Sequence, residues 1–392
     1  MRITDIRAAW LRYPIPAERQ HTSDFGALAT FDMTLVRIDT DAGIIGYGEA
    51  KGAVGSAAIN APLVSLVQDD LRPLLLGRDP RNISGHWERM YSGVRSHYAR
   101  RYGRPFPELG RRGLRIAAMS GIDMALWDIL GQSLEAPVYR LLGGRCRDTV
   151  TGYASGGWAD EQGIGAQLIE TMAAGGFGGV KMRVGAMDGD VETSIARVKA
   201  AREALGPKPR LMVDAHGTWD PRAARRFCSR VADCHLAWVE EPVGPDDPQG
   251  MAEVRAATDI PIAAGESLFT RFEFRDLVAA RAVDVLQPDP AIAGGITEVV
   301  RIAGLAAAHG LTLAPHLWGS ALLFAAGLHL AAALPQVTTL EYSMGYNPML
   351  RELAGEAFEI QDGEILIPDR PGLGVTPDPA FVERYTVAGG AG

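Results

Sequence analysis

The sequence predicts an α/β fold in which an N-terminal α+β unit precedes a parallel (β/α) barrel. Two observations indicate this fold. Short apolar runs alternate with amphipathic stretches from residue 148 onward, and three acidic residues end successive apolar runs at equal intervals. Glu240 follows Asp214 by 26 residues, and Glu266 follows Glu240 by the same interval. Because a strand, a helix and two loops take about that length in a barrel of ~250 residues, the three carboxylates are expected at one end of the barrel.

The first unit is predicted from extended segments that are followed by helical ones. Residues 1–50 have β character, and the turn signal Asp-Ala-Gly at 41–43 separates two β runs. Residues 58–91 and 113–132 carry apolar side chains at the helical spacing i, i+3, i+4. The intervening residues 95–112 are rich in Arg, Tyr, Pro and Gly and predict a loop. This order of elements is typical of an α+β unit.

Eight apolar runs predict the barrel strands, and helical stretches that end at glycine separate them. The runs are residues 149–155, 179–184, 210–215, 236–240, 260–266, 283–289, 311–316 and 338–343. The tail consists of strand and turn material that is predicted to pack back on the first unit. The predicted division is therefore an α+β domain at residues 1–130, the barrel at 131–355 and a C-terminal segment at 356–392.

The composition limits the class of protein. A chain of 392 residues exceeds one compact domain, which favours two. Its 47% hydrophobic and 22% charged residues are ordinary for a soluble globular protein. The net charge is −8 and the chain has no long basic run. Neither nucleic acid nor an anionic membrane is therefore the expected partner.

Segments that would direct the chain out of the cytoplasm are not expected. The first residues, MRITDIRAAWLRYPIP, carry charges within their apolar stretch, unlike a secretory signal. No run reaches the 18 or more apolar residues of a membrane span. Cys146, Cys228 and Cys234 are odd in number and have no metal-type spacing with histidine, which indicates reduced, idle thiols. A cytoplasmic location is the prediction.

The three regularly spaced carboxylates predict a metal site. Clustered carboxylates repel one another and need a cation, and ligands that are all oxygen suit Mg²⁺ before Zn²⁺. We expect one Mg²⁺ per subunit, held by Asp214, Glu240 and Glu266. Glu241 could replace its neighbour Glu240 as the ligand, but the spacing favours Glu240. A single acidic residue at a strand end would more often be a helix N-cap, and the group of three opposes that interpretation.

Four further polar side chains fall at predicted strand ends: Lys181, Arg183, Asp289 and His316. Lys181 and Arg183 are two residues apart on one strand, so both face the barrel interior. Two interior cations need anions, which the carboxylates and an anionic substrate would supply. A purely structural ion pair with the carboxylates is the alternative. Asp289 beside His316 would fix the imidazole tautomer and raise its basicity, which makes His316 a candidate general base.

These residues together predict a reaction. A divalent ion and Lys181 would bind a substrate carboxylate, and the proton on the neighbouring carbon would become more acidic. His316 would then remove that proton. His216 lies two residues after Asp214, and Glu341 ends the eighth strand. A barrel that keeps the metal only for structure or ligand sensing is the non-catalytic alternative, but a binding protein has no need of a base.

With these residues the chain resembles the enolase superfamily, and within it the mandelate racemase subgroup. The resemblance covers nearly the whole length. It rests on YGEA at 47–50, GIDMALWD at 121–128, K-x-R at 181–183, the three acidic residues, QPD at 287–289, the glycine pair at 294–295, PH at 315–316 and PGLGV at 371–375. The resemblance implies a modified TIM barrel, (β/α)7β, under an N-terminal α+β capping domain. It also implies Mg²⁺ and abstraction of the proton α to a carboxylate.

Two details of the resemblance concern the reaction. Racemases of the subgroup have a second lysine where this chain has Arg183, which is a poor base because it stays protonated. His216 in D-x-H is similar to sugar-acid dehydratases of the galactonate type, where the histidine protonates the leaving hydroxide. The resemblance thus implies an aldonate dehydratase, with His316 as the base at C2, His216 as the acid at C3 and a 2-keto-3-deoxy acid as product.

Alternatives remain at three points. His216 could only hydrogen-bond a metal ligand. The reaction could be that of a racemase, an epimerase or a cycloisomerase, with Arg183 or His216 as the other base. Trp318 could be barrel packing or a wall of the pocket.

The resemblance places much of the substrate specificity in the capping domain. Loops at residues 21–25 and 50–55 are expected to close over the site. The residues expected to bind substrate are His21, Thr22, Ser23, Asp24 and Trp318. Glu341 is expected to donate to the substrate carboxylate. The expected partners are a small sugar acid and further copies of the chain, as a dimer or an octamer.

Overall fold

The computed structural model describes residues 1–20, 22–23, 26–52, 57–107, 113–355 and 358–390. Its strands are β1 (Ile3–Pro14), β2 (Thr22–Ser23), β3 (Gly26–Ala27), β4 (Thr30–Thr40), β5 (Ile45–Ala50), β6 (Thr149–Ser155), β7 (Gly179–Arg183), β8 (Arg210–Asp214), β9 (Trp238–Glu240), β10 (Ile262–Ala264), β11 (Val285–Leu286), β12 (Thr312–Leu313), β13 (Leu340–Ser343), β14 (Ile360–Gln361), β15 (Glu364–Leu366) and β16 (Thr386–Gly389).

The helices alternate with the strands from β6 onward. They are α1 (Asn60–Ser65), α2 (Arg72–Leu75), α3 (Ile83–Ser92), α4 (Ser96–Tyr102), α5 (Leu114–Ser133), α6 (Val138–Leu141), α7 (Ile164–Ala173), α8 (Val191–Leu205), α9 (Pro221–Arg230), α10 (Pro248–Ala256), α11 (Thr270–Ala279), α12 (Gly295–Ala308), α13 (Ala321–Ala333), α14 (Pro348–Arg351) and α15 (Pro379–Tyr385). A π-helical turn, Leu66–Leu71, joins α1 to α2. Among the residues described, no helix is both long and apolar enough to cross a bilayer.

The capping unit is an antiparallel sheet covered by helices. Its strand order is β16–β1–β4–β5, and α5 packs across β5. The two segments approach closely because β5 carries Gly46 and Gly48, where any side chain would collide with the backbone of α5. This close packing brings the end of β5 to the rim of the barrel, where Lys51 donates its backbone N–H to the carbonyl oxygen of Ala291.

Two local predictions in this unit were wrong. The helical run expected at 58–91 is interrupted between α2 and α3, because Gly77 adopts a φ of +72° and Pro80 follows it. The loop expected at 95–112 contains α4, which ends where Gly103 takes a left-handed φ of +63°. The glycines and prolines that suggested a loop all lie from Gly103 onward, and Gly103 ends the helix. Residues 108–112 of the predicted loop lie outside the described residues.

The predicted barrel is confirmed. Strands β6 to β12 are hydrogen-bonded in consecutive parallel order, and β13 pairs with β6. A parallel bridge between Leu313 and Val337 closes the remaining gap. Helices α7 to α13 each follow one of the strands β6 to β12, which gives the modified (β/α)7β arrangement. The interior holds a layer of packed side chains, so the barrel is a core and not a channel. This layer contains Tyr153, Met212, Trp238, Ala263 and Ala314.

The C-terminal tail is divided between the two units. Strand β16 extends the capping sheet by pairing with β1, as expected for a tail that packs on the first unit. The β14–β15 hairpin instead pairs with the first barrel strand, where Glu364 lies opposite Thr151. Ile365 is fully buried there, so the hairpin covers apolar barrel surface. The domain limits at residues 130 and 355 stay a prediction.

Acid is expected to destabilise the fold partly through His329. This residue is buried on α13, and its Nε2 lies 3.1 Å from the carbonyl oxygen of Leu373. Burial lowers the pKa of His329 from 6.5 to about 4. A neutral imidazole is therefore favoured in the fold, and its contribution is complete above pH 6.5 and is lost as the pH falls towards 4. His329→Leu should remove roughly 3 kcal/mol of this decline, because one pKa unit corresponds to about 1.4 kcal/mol.

Denaturant unfolding of both proteins between pH 7 and pH 4 measures this difference. Parallel stability curves for His329→Leu and the parent would contradict the assignment. Parallel curves differ by a constant offset, which would reflect only the lost hydrogen bond and packing.

Candidate active site

Polar side chains from every strand between β7 and β13 meet at the carboxyl ends of the barrel strands. Each lies in the last residues of its strand or in the loop directly after it, which is where a parallel barrel gathers side chains from separate strands. In the β7–β8–β9 register Arg183 lies opposite Asp214, and Asp214 lies opposite Glu240. The side chains in this group are Lys181, Arg183, Asp214, Glu240, Glu266, Asp289, His316 and Glu341.

The three acidic residues predicted to bind a metal form one cluster. Asp214, Glu240 and Glu266 each offer a carboxylate oxygen, and these oxygens lie within 4.8 Å of one another. Glu266 Oε2 is buried and accepts no hydrogen bond from the residues described. An oxygen of this kind is costly to bury unless something else binds it. Three convergent carboxylates, one of them with an unused oxygen, fit a hard divalent cation such as Mg²⁺.

Glu240 is the better placed of the two adjacent glutamates. Its Oε2 accepts hydrogen bonds from Trp238 Nε1 at 3.1 Å and from Gln287 Nε2 at 2.7 Å, which fix the carboxylate. Glu241 accepts from Ser267 Oγ at 3.2 Å instead. Burial and the neighbouring carboxylates of Glu266 and Glu240 raise the pKa of Glu241 to about 8. The geometry thus agrees with the choice of Glu240 that the 26-residue spacing suggested.

Two buried cations lie among the carboxylates. Lys181 Nζ is 2.5 Å from Glu240, 2.9 Å from Glu341 and 3.5 Å from Asp214, and Arg183 forms an ion pair with Asp214. Burial by itself would lower the pKa of Lys181, but the charges of Glu240 and Glu341 raise it above its ordinary value. With Glu266 included, four carboxylates face two cations, so the cluster has an excess of negative charge that a divalent cation would balance.

A histidine–aspartate pair borders this cluster. His316 Nδ1 is 2.8 Å from Asp289 Oδ2, and Nε2 is 3.5 Å from Glu266 Oε2. Burial would raise the pKa of Asp289, but Lys51 and His316 together lower it. An ionised carboxylate can only accept, so Nδ1 carries the imidazole proton and donates it. Nε2 faces the carboxylate cluster, which is the position that a general base at this site requires.

His216 and Trp318 also lie at this end of the barrel. His216 has a φ of +46°, its backbone N–H donates to Asp214 Oδ1 at 3.0 Å, and its Nε2 is 3.4 Å from Asp214 Oδ2. The Trp318 ring has the Arg183 guanidinium 5.8 Å from its centroid and packs edge-on against Trp158. The Trp318 ring therefore lies beside Arg183, and its role as a wall of the pocket stays a prediction. The role of His216 as acid or as partner of Asp214 stays a prediction.

The capping-loop residues predicted to bind substrate lie partly outside the described residues. His21 and Asp24 lie outside the described residues, as do residues 53–55 of the second loop, and the Ser23 side chain is likewise not described. Thr22 is exposed in the short β2–β3 hairpin, where it pairs with Ala27. The contact of these four residues with substrate stays a prediction.

Sequence reasoning gave no role to two residues that contact this group, although Lys51 lies in the predicted loop 50–55 and Gln287 in the QPD motif. Lys51 donates from Nζ to Asp289 Oδ2 at 3.0 Å, and Gln287 donates to Glu240. Gln287 could have been found, because it lies two residues before Asp289 in the strand predicted at 283–289, where the two side chains would share a face. Lys51 follows the YGEA segment by one residue, but its partner is 238 positions away. Only the docking of the capping unit on the barrel brings these two residues together.

Comparison with known proteins supports this description. The family model for the mandelate racemase / muconate lactonizing enzyme N-terminal domain matches residues 9–143, and the enolase C-terminal domain-like model matches residues 164–381. The chain is 35% identical to D-galactarolactone cycloisomerase of Agrobacterium fabrum, over 96% of each chain. It is 33% identical to arabinonate dehydratase of Saccharolobus solfataricus, over 98% of this chain and 99% of that one.

A solved structure has the same architecture. A racemase from Streptomyces coelicolor, determined with bound magnesium, superposes with a TM-score of 0.85 at 33% identity, over 98% of this chain and 100% of that one. Both family models match, and the similarity extends over nearly the full length. The chain therefore belongs to the enolase superfamily and, within it, to the mandelate racemase subgroup.

Proposed function

We propose that this protein is a Mg²⁺-dependent dehydratase of sugar acids, with an aldonate as substrate and a 2-keto-3-deoxy acid as product. The observation that carries the proposal is His316, held by Asp289 with Nε2 facing the carboxylate cluster. Arg183 stands where racemases of the subgroup have a second lysine, which favours chemistry with one base. Membership of the superfamily, and relatives named as dehydratases and cycloisomerases of sugar acids, support an enzyme of this general type.

Each side chain of the site has its own role in the proposed reaction. A divalent cation held by Asp214, Glu240 and Glu266 would neutralise the substrate carboxylate and stabilise the negative charge that develops on it. Lys181 supplies a second positive charge at the same carboxylate. His316 Nε2 takes the proton from C2, and the electrons of that C–H bond pass to the carboxylate as an enediolate.

Loss of the 3-hydroxyl completes the reaction. The enediolate electrons form the C2–C3 double bond while the C3–O bond breaks, and His216 gives the departing hydroxide a proton to form water. The resulting enol takes a proton at C3 and becomes the 2-keto acid. Glu341 lies 2.9 Å from Lys181 and 3.9 Å from His316 Nε2, so it borders both the substrate carboxylate and the base.

A library of five- and six-carbon aldonates tests the proposal. Each acid is incubated with the enzyme and Mg²⁺, and 2-keto acid formation is measured with and without EDTA. We expect product from at least one acid, and its loss in EDTA. A broad library that yields no 2-keto acid would contradict dehydration.

His216→Asn is expected to lower product formation by about 10²–10⁴-fold, the usual contribution of a general acid, while exchange of the C2 proton with solvent continues. His235→Asn is a matched control. His235 also has a positive φ, +48° against +46° for His216, and asparagine tolerates that conformation. Equal loss of exchange and of product in His216→Asn would show that the histidine acts through Asp214. Unchanged product formation would exclude it as the acid.

A cycloisomerase is the second candidate, because one of the relatives named above carries out that reaction. It shares abstraction of the α proton, but it breaks or forms a C–O bond of a ring and releases no water. Deuterium incorporation at C2 of recovered acid or lactone, without loss of water, would favour it. No deuterium in recovered substrate would count against it.

A further inference from the structure

Lys51 connects the capping unit to the histidine–aspartate pair. It follows β5 directly, and its side chain is only 12% exposed. Nζ donates to Asp289 Oδ2 at 3.0 Å and to the carbonyl oxygen of Trp318 at 2.8 Å. A buried lysine needs such partners, because an unpaired ammonium would be strongly disfavoured away from water. Both acceptors lie in loops at the carboxyl end of the barrel strands.

The Asp289 carboxylate is held at both oxygens. Oδ1 accepts the backbone N–H of Ala291 at 2.7 Å. Oδ2 is shared between His316 Nδ1 at 2.8 Å and Lys51 Nζ at 3.0 Å. The position of Oδ2 sets the direction in which the imidazole can donate, and therefore the direction in which Nε2 points. Lys51 and His316 therefore bond to the same oxygen atom of Asp289.

The same end of the capping sheet contacts the loop that carries His316 and Trp318. Buried Glu49 accepts hydrogen bonds at Oε2 from the backbone N–H of Ser320 at 2.9 Å and from its hydroxyl at 2.5 Å. The backbone of Lys51 contacts the loop after Asp289. Two neighbouring residues of the capping unit therefore hold the two barrel loops on which the base and its aspartate lie.

We propose that Lys51 is a positioning residue for the base, through which the docked capping unit holds Asp289 and, with it, the His316 ring. The proposal rests on the proposed function, because it assumes that His316 takes a substrate proton. A simple ion pair between domains would affect stability alone. A positioning residue should change turnover through Asp289 specifically.

Kinetics of Lys51→Met separate the two roles. Methionine has a similar length and no charge, so the oxygen of Asp289 loses one of its two donors. We expect kcat to fall by about 10–100-fold with little change in KM, the range typical of partners that orient an active group. Lys51→Arg keeps the charge and should restore part of the loss. Trp127→Phe, which removes a hydrogen bond from the capping unit to Thr297 on α12 but none to Asp289 or to the loop of His316, should leave kcat near the parent value.

A double-mutant cycle tests whether the effect passes through Asp289. In an Asp289→Asn background, Lys51→Met should cost no more than the roughly twofold scatter of independent changes. An equal loss of kcat in both backgrounds would overturn the proposal, and so would an unchanged kcat in the single variant.

A spectroscopic measurement needs no substrate. The Nδ1 proton of His316, identified by its absence from the proton NMR spectrum of His316→Asn, should shift or disappear in Lys51→Met and persist in Trp127→Phe. An unchanged resonance in Lys51→Met overturns the proposal, even if dehydration is demonstrated. A shifted resonance supports it even if the aldonate library gives no product, so failure of the proposed function and failure of this inference are distinguishable.

Discussion

His316→Asn is expected to lower turnover by about 10²–10⁴-fold, the range that a positioned general base contributes. Asparagine keeps a donor near the position of Nδ1 and can still bond to Asp289, so the loop should keep its conformation. It has no basic nitrogen in place of Nε2, which lies 3.5 Å from Glu266. Proton abstraction at C2 should therefore fail, and exchange with solvent should be lost together with product.

The variant also separates catalysis from binding. Mg²⁺ and ligand affinities, measured by calorimetry, should stay close to those of the parent. The exposed His309, at the end of α12, offers the matched control His309→Asn, for which no loss is expected. Full activity in His316→Asn would refute the assignment of the base and would favour the barrel as a binding protein with a different active group.

Glu266→Gln is expected to weaken Mg²⁺ binding by more than about 100-fold, because loss of a residue that merely supports a metal ligand already costs 10–100-fold. The substitution preserves volume and removes one charge. Burial would raise the pKa of Glu266, but His316, His216 and Arg183 lower it to about 2, so the parent side chain is ionised at neutral pH. Turnover at millimolar Mg²⁺ should fall in parallel with affinity.

Calorimetric titration of Mg²⁺ and thermal unfolding with and without the ion measure this effect. At 100 times its dissociation constant the ion should stabilise the parent by about 2.7 kcal/mol, and the variant should lose this gain. Glu241→Gln makes the same substitution at the buried glutamate that follows Glu240 in sequence. This variant should keep Mg²⁺ affinity near the parent value. If Glu241→Gln loses binding and Glu266→Gln retains it, the ligand assignment is wrong.

Periodicity made the barrel and the acidic cluster predictable from sequence. Strands of a parallel barrel recur at a nearly constant interval, so residues at equal intervals arrive at the same rim. Asp214 and Glu266 were recognised in this way, and they lie together in the structure. His316 was recognised because its strand also ends at the rim. These signals are local, since each depends on the position of a residue within its own strand.

Contacts between distant segments could not be predicted in this manner. The bond from Lys51 to Asp289 joins a strand of the capping unit to the barrel, and neither segment carries a local sign of the other. The division of the tail between β1 and β6 is a similar case, because apolar alternation shows that a strand is buried but not which sheet covers it. Residues 96–102 were expected in a loop but form α4, because the turn-forming residues begin only at Gly103.

The most direct test of the account is proton NMR of the reaction of an aldonate in D₂O with Mg²⁺. Abstraction of the C2 proton by His316, followed by loss of the 3-hydroxyl and protonation of the enol by solvent, predicts a 2-keto-3-deoxy acid with one deuterium at C3. Consumption of the acid with the C2 proton retained would contradict the account. So would a substrate pool that neither reacts nor exchanges its C2 proton while Mg²⁺ is bound.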